Sequence, residues 1–325
     1  MLAAVALARR ALPFQPRLAT ATTASVGACS GGAGRDRVAA PRIAPGALET
    51  RFSTPRRAVR SAVGTEVIMG LMQGKKGFIF GVANDHSLAW YIAEALHREG
   101  AQLAFNHLPN PKMERRVRQL AEPIGAKAIV PCDVTDDQQI QAAFHQARET
   151  LGPLDFVLHA IAFASRDALY NPFYRTTRAD FAQAMDISAY SLVALCNHGV
   201  EHMAPGASIL TLTYMGSVKM IPGYNVMGVC KAALESSMRY LAAELGREKQ
   251  IRVNALSAGP VRTLSSAGID GFSKVLEHYP TKAPLARNIT HEEVGKSGLY
   301  LLSDLSSGVT GEVHYVDCGY NAIGW

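Results

Sequence analysis

From Gly74 onward, short apolar runs alternate with longer stretches whose apolar residues recur every three or four positions. A short apolar run bounded by glycine or polar residues reads as a buried strand; a 3.6-residue period reads as an amphipathic helix. Gly77–Gly81 (GFIFG) is then the first strand, and Ser87–Arg98 the first helix, with Leu88, Ile92, Ala95 and Leu96 on one face. QLAFN is the second strand, followed by a helix over Met113–Ile124; AKAIVPC is the third, followed by a helix over Asp136–Thr150. LDFVLHA is the fourth, and one long helix over Arg178–His202 follows it. SILTLTY is the fifth, leading to a second long helix over Tyr224–Gly246; IRVNALS is the sixth and VHYVD the last. Gly259 to about Asn288 reads as irregular. A loop that long in a compact domain is usually a lid or binding loop. The alternation predicts right-handed crossovers between parallel strands. The expected fold is therefore α/β: a Rossmann-type doubly wound parallel sheet of about seven strands, with helices on both faces.

Composition narrows the function classes. The chain has 325 residues, 48% apolar and 18% charged, enough to bury a sizeable core. Its longest mainly apolar stretch in the body, LDFVLHAIAFA, falls well short of the roughly 20 residues of a membrane span. The five cysteines are widely spaced with no CxxC pair, which argues against a disulfide framework or zinc site. The net charge of +6 is unevenly placed: residues 1–68 hold ten arginines and no lysine against Asp36, Glu49 and Glu66. The remaining chain carries 23 basic and 24 acidic residues, so it has no charge excess for nucleic acid. Residues 1–68 are rich in Ala, Arg, Ser, Thr and Gly, poor in acids, and have no sustained apolar period. They read as an organellar transit peptide or disordered extension, and 69–325 as a single domain. A second reading places the true start at Met69, since MGLMQGKKG is an ordinary bacterial N-terminus.

In a doubly wound sheet, ligands bind beyond the carboxyl ends of the strands. After the first strand comes Gly81-Val-Ala-Asn-Asp-His-Ser87-Leu88-Ala89, with one glycine where GxGxxG would have three. It still permits a tight turn into a helix N-terminus, whose unpaired N–H groups suit a pyrophosphate. Ser87 could cap that helix; an ordinary strand–helix turn is an equal reading. Asp133 and Val134 end the third strand, where they suit an adenine; a helix cap at Asp133 or Thr135 is the alternative. After the fourth strand, the small residues Ala160 and Ala162 let a sugar or nicotinamide approach the backbone, while His159 reads as a core histidine. Tyr224 and Lys231 are seven residues apart, hence on nearly the same helix face about 10.5 Å apart. A phenol and an ammonium there can stabilise developing negative charge and hold ribose hydroxyls. Tyr214, at the end of the fifth strand, faces the same crevice. After the sixth strand, the Val261 backbone can pair with a carboxamide and the Thr263 hydroxyl with a phosphate.

Together GVANDHSLAW, CDV, Tyr214 with YNVMGVCK, and RVNALSAGPVRTLSSAGI resemble the NADH-dependent enoyl-[acyl-carrier-protein] reductases of type II fatty-acid synthesis. These belong to the short-chain dehydrogenase/reductase superfamily. The resemblance covers nearly all of 69–325 and is strongest to cyanobacterial-type members in AFASRDAL, DISAYSLV and YVDCGYNAIGW. It implies a pyrophosphate turn at Gly81, Ser87 and Leu88, an adenine pocket at Asp133 and Val134, and a cofactor-lining segment at Ala160–Ala162. It implies catalysis by Tyr224, a nicotinamide-ribose contact from Lys231, and a substrate site with Tyr214, Ala162 and Phe272. Val261 and Thr263 fall on the carboxamide and pyrophosphate positions, and about 262–285 on the mobile substrate-binding loop. The implied cofactor is NADH, although Leu108 after the second strand is neither an acid nor an arginine, so the residues leave NADPH open. The resemblance further implies an acyl-carrier protein as partner and a homotetramer. A plastid is the expected destination ahead of a mitochondrion, and the cytoplasm if translation starts at Met69. A carbonyl-reducing relative such as a 3-oxoacyl reductase fits less well, because TGxxxGxG, NNAG and Tyr-x-x-x-Lys are absent. A non-catalytic dinucleotide-sensing module is the rival outside the enzymes.

Overall fold

The computed structural model describes residues 70–263 and 272–324, with two short paired strands, Val59–Arg60 and Glu66–Val67. All lie in one compact unit, Thr54–Trp325. Most of the expected extension, and residues 264–271 of the expected substrate loop, lie outside the described residues.

The main sheet has seven strands: β1 (Lys76–Phe80), β2 (Gln102–His107), β3 (Ala128–Pro131), β4 (Leu154–His159), β5 (Met203–Thr213), β6 (Arg252–Ala258) and β7 (Val313–Val316). All pair in parallel, in the order β3-β2-β1-β4-β5-β6-β7. The order reverses direction between β1 and β4, which opens the ligand crevice of a doubly wound fold there. Side chains alternate between two cores. Phe78, Phe80, Val157 and Ile209 pack on one face under α3 (Asp137–Leu151), α6 (Ser191–Gly199) and α7 (Asn225–Lys249). Ile79, Phe105, Phe156 and Leu210 pack on the other under α1 (Leu88–Arg98), α2 (Pro111–Ala121) and α9 (His291–Leu302). Strands covered on both faces read as near-continuous apolar runs, which is why periodicity locates them.

Four readings are corrected. The helix expected over 178–202 is interrupted: α5 (Arg178–Met185) widens into a π-helical turn, Asp186–Tyr190, before α6, and a 3-10 turn closes it at Val200–His202. The widened turn lets Ser188 Oγ donate to the Phe163 carbonyl and accept from the Phe163 N–H, both at 2.9 Å. The segment 259–288 is not wholly irregular, because it holds α8 (Phe272–Lys282); a short helix, α4 (Arg166–Tyr170), and α9 also escape the sequence reading. On α1 the buried face is Ala89, Trp90, Ile92, Ala93 and Leu96, while Leu88 is only half-buried at the crevice. The cap of α3 is Asp136, whose carboxylate accepts from the Gln138 and Gln139 N–H groups; Asp133 instead accepts from Thr135.

Candidate functional site

Two adjoining cavities open beyond the carboxyl ends of the strands. The larger, of about 630 Å³, runs past Gly81, Ser87, Leu88, Asp133, Val134, Ala160, Ile161 and Ala162 to Tyr224, Lys231 and Thr263. The smaller, of about 360 Å³, holds Tyr214, Val261, Phe272 and Val275, and shares Leu88, Ala162, Tyr224 and Thr263 with the first. Every residue singled out from the sequence as a binding or catalytic candidate therefore lines one cavity or both. Val261 lies on the smaller one.

The turn after β1 is built for close approach. Gly81 has φ of 101°, and a Cβ there would stand 2.2 Å from the Ala160 carbonyl oxygen. Only glycine combines that backbone with that contact. Ser87 occupies the N-cap of α1 without capping it. Its hydroxyl instead accepts from the Ala83 and Asn84 N–H groups, at 3.0 and 3.1 Å. The turn is thus closed by its own serine, and the first N–H groups of α1 have no intrahelical partner. A helix end of this kind holds an anion. Asn106, at the end of β2, is a residue the sequence reading passes over. Its Oδ1 accepts from the Gly81 N–H at 3.0 Å, and its Nδ2 donates to the Cys132 carbonyl at 3.3 Å. One buried amide thereby joins the ends of β1, β2 and β3. The signal was a lone amide at the end of an apolar run. Leu108, next along, is 47% exposed on the crevice rim and offers no charge to a ribose.

At the far end, Tyr224 is the first residue before α7, and Lys231 lies two turns along it. The rings of Tyr214 and Tyr224 meet edge to face, with centroids 5.0 Å apart. Burial raises both phenols, Tyr214 to about 12 and Tyr224 further, because a phenolate is poorly solvated there. Lys231 is 5% exposed, and its Nζ donates to the Leu212 carbonyl at 2.7 Å. Burial lowers its ammonium to about 8. His159 is a core histidine, as expected: its ring bonds Thr211 and Ser191 hydroxyls at 2.8 Å each, and burial lowers it to about 3. It stays neutral beneath the crevice. The site so presents a protonated phenol, a buried amine, and a glycine-led turn into the start of α1 around one groove. No group of His, Cys, Asp and Glu among the described residues could hold a metal ion.

Strand order, single-glycine turn and the Tyr224–Lys231 helix define the class: the short-chain dehydrogenase/reductase type of Rossmann fold. The family model described as enoyl-(acyl carrier protein) reductase matches residues 81–321. The enoyl-[acyl-carrier-protein] reductase [NADH] 1 of Rhizobium meliloti is 52% identical over 255 residues, covering 78% of this chain and 93% of the relative. The NADH enoyl-[acyl-carrier-protein] reductase of Nostoc sp., a cyanobacterial relative, is 48% identical, covering 78% and 98%. Among solved structures, the Bacillus cereus enoyl-acyl carrier protein reductase, bound to NADP+ and indole naphthyridinone, superposes with a TM-score of 0.76 at 46% identity. It covers 79% of this chain and all of its own. The Anaplasma phagocytophilum reductase in complex with NAD gives 0.75 at 50% identity, covering 79% and 97%. The chain belongs to the enoyl-(acyl carrier protein) reductase family.

Proposed function

We propose that the chain reduces the trans-2 double bond of an enoyl thioester carried on an acyl-carrier protein, using NADH. The observation that carries this reading is the meeting of the two cavities at Tyr224, with Lys231 beneath the larger one. The larger cavity fits a dinucleotide on its own geometry, since the glycine cradle and the open end of α1 suit a pyrophosphate. Gly81, Ser87 and Leu88 then take the pyrophosphate with Thr263, and Asp133 and Val134 the adenine. Ala160, Ile161 and Ala162 line the groove, Lys231 holds the nicotinamide ribose, and Val261 meets the carboxamide. When bound, NADH supplies the hydride, which adds to the β-carbon as the π pair moves toward the thioester oxygen. Tyr224 donates a hydrogen bond to that oxygen. Its raised pKa keeps the phenol protonated, so it is a donor throughout the neutral range. The bond strengthens as charge develops, the kind of interaction that accelerates the chemical step. A proton then closes the α-carbon. Tyr214, Ile221, Met227, Phe272 and Val275 give the smaller cavity an apolar wall that receives the acyl chain and excludes water.

The relatives named above all bear the enoyl-reductase name, which favours this reading over carbonyl reduction or a non-catalytic module. The test is NADH oxidation by the full chain with crotonyl-CoA. Tyr224→Phe should lower kcat by about 100- to 1,000-fold, the loss of one oxyanion donor, with little change in NADH affinity. Lys231→Ala should weaken NADH binding as well. Turnover of acetoacetyl-CoA in place of crotonyl-CoA would contradict the assignment.

Three finer readings go with it. An acyl-carrier protein presents the substrate. The chain forms a homotetramer, supported by family resemblance and by exposed Phe181, Tyr190, Val229 and Tyr240 on and beside α5 and α7. Residues 1–68 are a transit peptide addressed to a plastid. Their arginine-rich, acid-poor composition supports this, as does a family match beginning at residue 81. No helix among the described residues is long and apolar enough to cross a membrane.

A further inference from the structure

The end of β5 is fastened to α7 at three successive residues. The Leu212 carbonyl accepts from Lys231 Nζ at 2.7 Å, and the Thr213 hydroxyl donates to Glu235 Oε1 at 2.6 Å. The Tyr214 ring sits against Tyr224. Two of the three helix partners belong to the proposed reaction. The third, Glu235, is 5% exposed, and Thr213 is 6% exposed. Glu235 lines neither cavity. A carboxylate is costly to bury unless it answers a charge or holds a donor in place.

We propose that Glu235 is a positioning residue for the reduction: it fixes the end of β5 through Thr213 and serves as the buried counter-charge to the Lys231 ammonium. The proposal rests on the function assigned above. Glu235 follows Lys231 by one helical turn, the spacing at which side chains of one helix face interact. The titratable groups around Lys231 come from three elements. His159 on β4 is neutral, Cys230 on α7 is a thiol raised to about 11, and Tyr224 is a protonated phenol. Tyr315 on β7 is raised by burial first and by the nearby Glu235 second. Burial lowers the Lys231 ammonium, while Cys230 and Glu235 favour its charged form; of the two, Glu235 is the carboxylate. Thr213 links the two functions, because it lines both cavities and directly precedes Tyr214. Losing the bond frees the strand end, and with it the edge-to-face seat of the two tyrosines.

Two variants of the full chain separate these roles. Glu235→Gln keeps an acceptor for Thr213 and removes the charge; Thr213→Val keeps the charge and removes the bond. The readouts are the pH profile of kcat with crotonyl-CoA and NADH affinity by fluorescence over the same range. In the unaltered chain both fall as Lys231 loses its proton. Glu235→Gln should move both alkaline limbs lower by about one pH unit. Thr213→Val should leave the limbs in place and lower kcat about tenfold at every pH, as misplacement does. Coincident profiles for Glu235→Gln and the unaltered chain would overturn the counter-charge. An unaltered kcat in Thr213→Val would overturn the positioning role, and this variant decides alone if Glu235→Gln does not fold. An unaltered chain that binds NADH but reduces no enoyl thioester would sink the proposed function instead, leaving the binding limb to judge Glu235.

Discussion

Burial sets the protonation of single residues here, and it does so in opposite senses. Tyr224 is kept as a donor, Lys231 is brought toward neutrality, and His159 is held uncharged. His159 gives a prediction about stability. Its folded pKa of about 3 lies below the ordinary 6.5, so between those values the unfolded chain binds the extra proton. Stability contributed by this residue is therefore full above pH 6.5 and is lost as the pH falls toward 3. The slope is at most about 1.4 kcal/mol per pH unit for one proton. His159→Gln retains a donor and an acceptor for Thr211 and Ser191 and should flatten this slope, read from urea midpoints between pH 6.5 and 4.5. An unchanged slope would mean that other groups govern the acid limb. The candidates legible in the sequence at this scale were those with chemical reach at a strand end: Tyr214, Tyr224, Lys231, Asp133. Asn106 and Glu235 were not legible. Each acts through partners far along the chain, Gly81 and Cys132 for one and Thr213 for the other, and no local spacing reveals such pairings.

Among the elements, apolar runs located the seven strands of the main sheet, because a sheet covered on both faces has no polar side to disguise it. Helices were less evenly legible. In α8, Phe272, Val275, Leu276 and Tyr279 recur at helical spacing, but neighbouring Gly, Pro and Ser made the whole stretch read as loop. In α9, Gly295 and Gly298 weaken the helical signal even though Thr290 and Glu293 form a reciprocal capping box. Those glycines belong to packing: a Cβ on Gly298 would come within 2.7 Å of Ile92 on α1. Gly298→Val should consequently destabilise the fold by about 1–3 kcal/mol through overpacking, measured by urea unfolding. An unaffected midpoint would show that the α1–α9 contact yields. The π-helical turn at Asp186–Tyr190 likewise has a partner distant in sequence, since its Ser188 pairs with the Phe163 backbone.

Across the whole molecule, the sheet places the Gly81 turn at one end of a groove and a phenol–amine pair at the other, with an apolar cavity beside them. If residues 1–68 serve only as an address, a chain starting at Met69 should retain the kcat and melting temperature of the full chain. A loss of either would give the extension a part in folding or catalysis. Isotope transfer reads directly where the hydride goes. The full chain would be supplied with crotonyl-CoA and NADH deuterated at the transferred position of C4, and the product mapped by nuclear magnetic resonance. The product should be butyryl-CoA carrying one deuterium on its β-carbon, with the α-carbon proton drawn from solvent or tyrosine. Unreduced crotonyl-CoA beside deuterium on the carbinol carbon of a 3-hydroxy product from acetoacetyl-CoA would contradict it.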